Sequence, residues 1–275
     1  MASSVYSTLT YWLVHHPYIA NFTWKEGETF GSTVFFVSVV VFVFLCATFL
    51  LWYAMDSLPS LSPRILKLIR LVHTFVLCLL FMIMAVGCTL SITSSQDPKA
   101  HLICFPVDVK PSGPVFFWAQ VYYLSKILQF VDILVMIVSK SVHLLSFYYV
   151  YHHGTAVVMA YLWLHTRQSM FPAGIVINSM VYVILYGYYF LRAVGLRPKW
   201  KMFVKSYLIL GYLAIFTVGF GWMVQHYFGS GCSGIWGVYF NGAFVSSLVG
   251  LFVYKNYVKK EMIKLCLGLF PKRND

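Results

Sequence analysis

His152 and His153 stand side by side in a run of otherwise apolar and aromatic residues, with Tyr149 three and four positions before them. Residues three and four apart share a face of a helix, so the three side chains would form one polar patch. An imidazole exchanges a proton near neutral pH, and polar groups held in an apolar run mark function by default. Hydrogen-bonded packing is the plainer role for an isolated histidine, and it fits an adjacent pair beside a tyrosine less well. Lys126 and Asp132 lie six residues apart in the preceding apolar run, either as a self-neutralising structural pair or as substrate-binding groups. In the following run, Tyr182, Tyr186 and Tyr189 share a face with Asn178 one turn earlier, and Tyr188 adjoins them. Interfacial anchoring is the ordinary use of such tyrosines, but these fall in mid-run. A metal-binding histidine box is a further option. His73, His143, His152 and His153 are too few for imidazole ligation of two irons, no carboxylate set completes the number, and no metal site is expected.

These groups must be held by elements that are themselves apolar. Of the 275 residues 60% are hydrophobic and 10% charged, against about 45–50% and about 25% in a soluble domain. So little polar surface cannot cover a globule in water. Runs long enough to span a bilayer, about 20 residues each, fall at 33–54, 71–92, 114–139, 144–165, 171–191, 206–228 and 235–254, with a tail at 255–275. The fold class expected is an all-α integral membrane protein of seven transmembrane helices, organised as a single domain over 1–275. Polar and ionisable groups inside such spans are costly and by default mark function. A net charge of +12 would suggest nucleic acid in a soluble protein; here membrane lipid is the simpler partner and no nucleic acid is expected.

The basic residues are unevenly shared among the connections. Fifteen of the 20 fall in the first, third and fifth links and the tail; Lys25, Lys99, Lys110 and Arg167 lie opposite, and Lys126 is within a span. Positive charge marks the cytosolic side, which predicts a lumenal N-terminus and a cytosolic C-terminus. Asn21-Phe22-Thr23 is a glycosylation sequon on the lumenal side. Cys104 and Cys232 are the only cysteines in lumenal links; they are expected to pair as a disulfide, with two free thiols as the alternative.

These residues, in this order, resemble the ELO family of endoplasmic-reticulum fatty acid elongases, and its plant members in particular, from Tyr11 to about Lys260. The resemblance is carried by Val150-Tyr151-His152-His153, by Lys126 with Asp132, and by Asn178-Ser179 followed by Tyr186-Gly187-Tyr188-Tyr189. Phe116-Phe117-Trp118-Ala119-Gln120 and Gly229-Ser230-Gly231-Cys232 add to it. It implies a very-long-chain 3-oxoacyl-CoA synthase, an acyltransferase that condenses acyl-CoA with malonyl-CoA and releases carbon dioxide and CoA, with no cofactor beyond these substrates. It also implies six of seven helices around an acyl-chain tunnel, and an acyl group carried on a histidine of an HxxHH motif. On that pattern His152, His153, Tyr182 and Asp132 serve catalysis. Lys126, Tyr149, Asn178, Tyr186 and Tyr189 bind substrate, and Arg197, Lys199 and Lys201 hold the CoA phosphates. A homo- or heterodimer, and the reductases and dehydratase of the elongation cycle, are the implied partners.

The sequence departs from the pattern in a cluster. Tyr149 stands for the first histidine of HxxHH, Gln129 and Ile133 for the Glu and Thr of Lys-x-x-Glu-x-x-Asp-Thr, Tyr182 for a histidine of the fifth span, and Leu208 and Gly211 for glutamines of the sixth. Two alternatives therefore stay open: a non-catalytic acyl-CoA-binding paralogue or dimer partner of active elongases, and a seven-span transporter. The terminal Lys272-Arg273 pair resembles a dilysine retrieval signal, consistent with an endoplasmic-reticulum membrane location, or is simply more cytosolic charge.

Overall fold

The computed structural model describes residues 2–54, 57, 61–95, 102–140, 147–196, 198–199, 201–229 and 231–254. The tail with its dibasic pair, and Arg197, lie outside them. Helix α1 (Ala2–Thr10), a wide helical turn (Tyr11–His15) and a short α2 (Pro17–Ala20) precede the first long helix. Asn21 caps α2 and is exposed. The segment after it is tied to the loop before residue 114 by Trp24 N–H to Pro111 O at 2.8 Å and Gly113 N–H to Phe22 O at 2.8 Å.

The long helices are α3 (Val34–Ala54), α4 (Pro63–Thr93), α5 (Pro114–Leu128) continued by α6 (Phe130–Val138), α7 (Phe147–His165), α8 (Phe171–Val194), α9 (Lys201–Phe228) and α10 (Ile235–Val253). Among the described residues six stretches are long and apolar enough to cross a membrane: α3, α4, α5 with α6, α8, the Ile209–Phe228 part of α9, and α10. The architecture is that of an all-α integral membrane protein. The expected fourth span corresponds to α7, whose polar patch lowers its apolarity below that of the other six.

Two boundaries differ from the sequence reading for local reasons. The 71–92 span begins eight residues earlier, because Pro63 occupies the first helical turn, where its fixed φ and missing N–H cost nothing. Arg64, Lys67 and Arg70 thus ride on α4 itself. At about 1.5 Å per residue α4 is about 46 Å long, and its basic first turns project beyond an apolar slab of about 30 Å. The 206–228 span likewise begins at Lys201. At the end of α8, Gly195 adopts φ +114° and takes the left-handed position that closes a helix.

The helices pack as a ring. α4 lies along α8; α5 packs on α4 and α7; α10 packs on α7, and α9 on α8. At Gly87 of α4 the Trp118 indole approaches so closely that an added Cβ would sit 2.3 Å from it, so only glycine lets α5 dock there. α3 stands outside the ring. It buries Val37, Phe44 and Thr48, stacks Phe44 on Phe130 with ring centroids 3.8 Å apart, and exposes most of its remaining apolar surface, as a lipid-facing helix does. One end of the ring is capped. Cys104 and Cys232 form a disulfide there, Ser233 N–H bonds Phe105 O at 2.9 Å, and Ser169 Oγ donates to Ser233 O at 2.9 Å. The other end carries Arg70 and Arg192.

Candidate active site

A cavity of about 740 Å³ runs inside the ring, lined from α4, α5, α6, α7, α8, α9 and α10. No α3 residue contributes to it. Arg70, His73, Tyr188, Tyr189 and Arg192 stand at its basic end, and Met159, Trp163, Met170, Gly174 and Val218 nearer the disulfide cap. Between them lie Lys126, Asp132, Tyr149, His152, His153, Asn178, Tyr182 and Tyr186. Three separate runs of sequence therefore converge on one space, and the helical faces deduced for α7 and α8 are the faces that line it.

His152 Nε2 lies 3.3 Å from the Tyr182 hydroxyl. Its ring is stacked near Tyr148 and Phe244, and the His153 ring meets it edge-on at 5.3 Å between centroids. His152 Nδ1 is buried with no hydrogen-bond partner. Opposite, Lys126 is 2% exposed, and its Nζ lies 3.9 Å from the Tyr182 ring centre, 4.3 Å from Tyr122 and 5.1 Å from Phe81. Aromatic faces attract a cation, and three of them surround this amine.

A line of hydrogen bonds continues from that lysine. Lys126 Nζ donates to Gln129 Oε1 at 3.1 Å; Gln129 Nε2 donates to the Tyr186 hydroxyl at 2.9 Å; Tyr186 donates to Asp132 Oδ2 at 2.5 Å. His73 Nε2 closes the line on Asp132 Oδ1 at 3.0 Å. A carboxylate only accepts, so Nε2 is the nitrogen of His73 that carries hydrogen. Gln129 and Tyr186 are 1% and 2% exposed, and a buried polar group left unpaired costs about 1–3 kcal/mol.

The remaining expected residues divide. Asn178 lines the cavity and spends its Nδ2 on Gly174 O of its own helix at 2.8 Å. Lys199 is exposed and lies apart from the cavity lining. It sits beyond the end of α8, while Arg70 and Arg192 occupy the mouth. The Lys201 side chain and Arg197 fall outside the described residues. Gly211, noted as a departure, permits α9 to approach Val181 of α8, where an added Cβ would meet Val181 Cγ2 at 2.9 Å. Among the described residues no three His, Cys, Asp or Glu side chains come together to hold a metal ion.

Sequence reasoning missed His73, Gln129, Tyr122 and Asn241 as members of the site. His73 and Asn241 were findable as lone polar groups inside apolar runs. Gln129 was noticed only as a departure, and nothing separates Tyr122 from the many other aromatic residues.

The model of the ELO family, described as GNS1/SUR4, matches residues 29–264. The chain belongs to the ELO family. Among its curated relatives, Fatty acid elongase 3-like of Arabidopsis thaliana is 26% identical over 92% of this chain and 93% of its own length. Fatty acid elongase A of Dictyostelium discoideum is 28% identical over 90% and 92%. Very long chain fatty acid elongase 5 of Xenopus laevis is 24% identical over 86% and 79%. The ELO match spans every residue of the cavity described above.

Proposed function

We propose that this protein elongates fatty acids by catalysing the condensing step. Acyl-CoA would enter at the basic end, taken to be cytosolic, with α7 crossing the membrane as a seventh span. Its chain lies among the apolar groups towards the lumenal disulfide cap, each buried CH₂ contributing about 0.8 kcal/mol. Arg70 and Arg192 engage CoA phosphates, for which a guanidinium offers paired donors.

His152 then attacks the thioester carbon through Nε2. The C–S bond breaks, the CoA thiolate leaves and takes the proton that the imidazole gives up from Nδ1, and the acyl group stays on Nε2. Loss of carbon dioxide from malonyl-CoA places an electron pair on the adjacent carbon as an enolate. That carbon attacks the acyl-imidazole, the C–N bond breaks, a proton from water restores the imidazole N–H, and 3-oxoacyl-CoA leaves with His152 regenerated. The Tyr182 hydroxyl, 3.3 Å from Nε2, supplies an O–H to the oxyanion of each tetrahedral intermediate, and preorganised donors of this kind are worth about 10²–10³ in rate. Lys126, behind the Tyr182 ring, stabilises the same negative charge.

The observation that carries this reading is the meeting of His152, Tyr182 and Lys126 in an apolar cavity with cations at its mouth. One observation favours a second reading, a non-catalytic acyl-CoA-binding protein or dimer partner: the group facing His152 is a phenol, and a phenol is a weak base at neutral pH. Microsomes from yeast lacking its own long-chain elongases, expressing this protein and given malonyl-CoA with acyl-CoAs of several lengths, separate the two. Products two carbons longer that vanish with His152→Ala support the enzyme. Acyl-CoA binding with no product at any length supports the binder.

A further inference from the structure

The four donors of the line converge on the Asp132 carboxylate. Lys126 gives to Gln129, Gln129 to Tyr186, Tyr186 to Asp132, and His73 gives to the same carboxylate from the opposite side. The line leaves α4 at His73, crosses α6 at Asp132 and α8 at Tyr186, and ends on α5 at Lys126. Its second member from the lysine, Gln129, is a residue that departs from the family pattern. A glutamate at 129 would set a second carboxylate against the Tyr186 oxygen, which already donates to Asp132. Glutamine instead accepts on one atom and donates from the other, so the line from the buried Lys126 to the partly exposed Asp132 carries no second carboxylate.

We propose that His73 is a positioning residue for the condensing reaction. By fixing the Asp132 carboxylate it orients Tyr186 and Gln129, and so keeps Lys126 Nζ against the Tyr182 ring beside His152. The role rests on the condensing function proposed above. His73 lies at the basic end of the cavity and acts through other side chains: its own contacts are the Asp132 carboxylate at 3.0 Å and the Tyr186 ring edge-on at 6.5 Å. The Phe81 ring, stacked on both Tyr182 and Tyr186 at 4.6 and 5.8 Å, clamps the two tyrosines together. A shift of Tyr186 therefore also moves the phenol that faces His152.

The test is a set of variants assayed as full-length protein in microsomes. His73→Leu lowers kcat by about tenfold or more while the acyl-CoA KM stays within about twofold, because only the transition-state interaction is lost. His73→Gln keeps an N–H within reach of Asp132 and restores most of kcat, which a purely space-filling role would not require. In a Lys126→Met background, His73→Leu has little further effect, since residues acting as a unit are not additive. Equal losses from His73→Leu in both backgrounds, or a kcat unchanged by it, overturn the proposal. If the unaltered protein makes no product, the elongase reading falls, and a structure of the His73→Leu protein decides the positioning claim. Displacement of Lys126 from the Tyr182 ring supports that claim; an unchanged Lys126–Gln129–Tyr186 line overturns it.

Discussion

Two polar regions face each other across the cavity, and they are built on opposite rules. On the α4, α5, α6 and α8 side, Lys126, Gln129, Tyr186, Asp132 and His73 satisfy one another in an unbroken line. On the α7 side, His152 is surrounded by rings, shares a single contact with Tyr182, and keeps Nδ1 buried without a partner. A fully satisfied network rigidifies what it contains, whereas a histidine with one engaged nitrogen is free to change its bonding. In the proposed reaction the first region holds and the second reacts.

Lys126→Met should break the contrast most severely, because Lys126 joins the two regions. It leaves Gln129 Oε1 unpaired and removes the charge behind Tyr182, and kcat should fall about 10²-fold or more. Tyr182→Phe strips the reacting side of its hydroxyl while keeping the ring; the expected loss in kcat is about 10²-fold with acyl-CoA KM little changed. Steady-state product formation by mass spectrometry measures both. Gln129→Glu sharpens the comparison, since restoring the family residue should lower activity, by about tenfold, through an unbalanced buried carboxylate. A gain in activity would show that the line tolerates a second negative charge. Cys104→Ser lies far from both regions. It should leave specific activity within about twofold and lower the unfolding temperature, because a link closing so long a loop is worth about 2–4 kcal/mol.

Much of this was legible in the sequence, for a physical reason. In a bilayer the apolar runs and the intramembrane polar groups are the whole message, so the spans and the faces of α7 and α8 followed from composition and helical period. The ends were less legible. Pro63 reads as a breaker but is equally suited to open a helix, and this hid Arg70 from the site. Gln129 stands out in the sequence only as a departure from Glu, because its value depends on what surrounds it. Only the neighbouring Tyr186 and Lys126 show that an amide, with one donor and one acceptor, fits where a carboxylate would compete. His73 and Asp132 come from helices 59 residues apart in sequence, and no local pattern pairs them.

The central claim is that His152 carries the acyl group. Purified protein incubated with an isotopically labelled acyl-CoA in the absence of malonyl-CoA, quenched and digested, should yield a peptide containing His152 with the mass of one acyl group on it. That mass should be absent from His152→Ala protein and chased away by added malonyl-CoA. No adduct, or an adduct that persists in His152→Ala protein, would contradict the account.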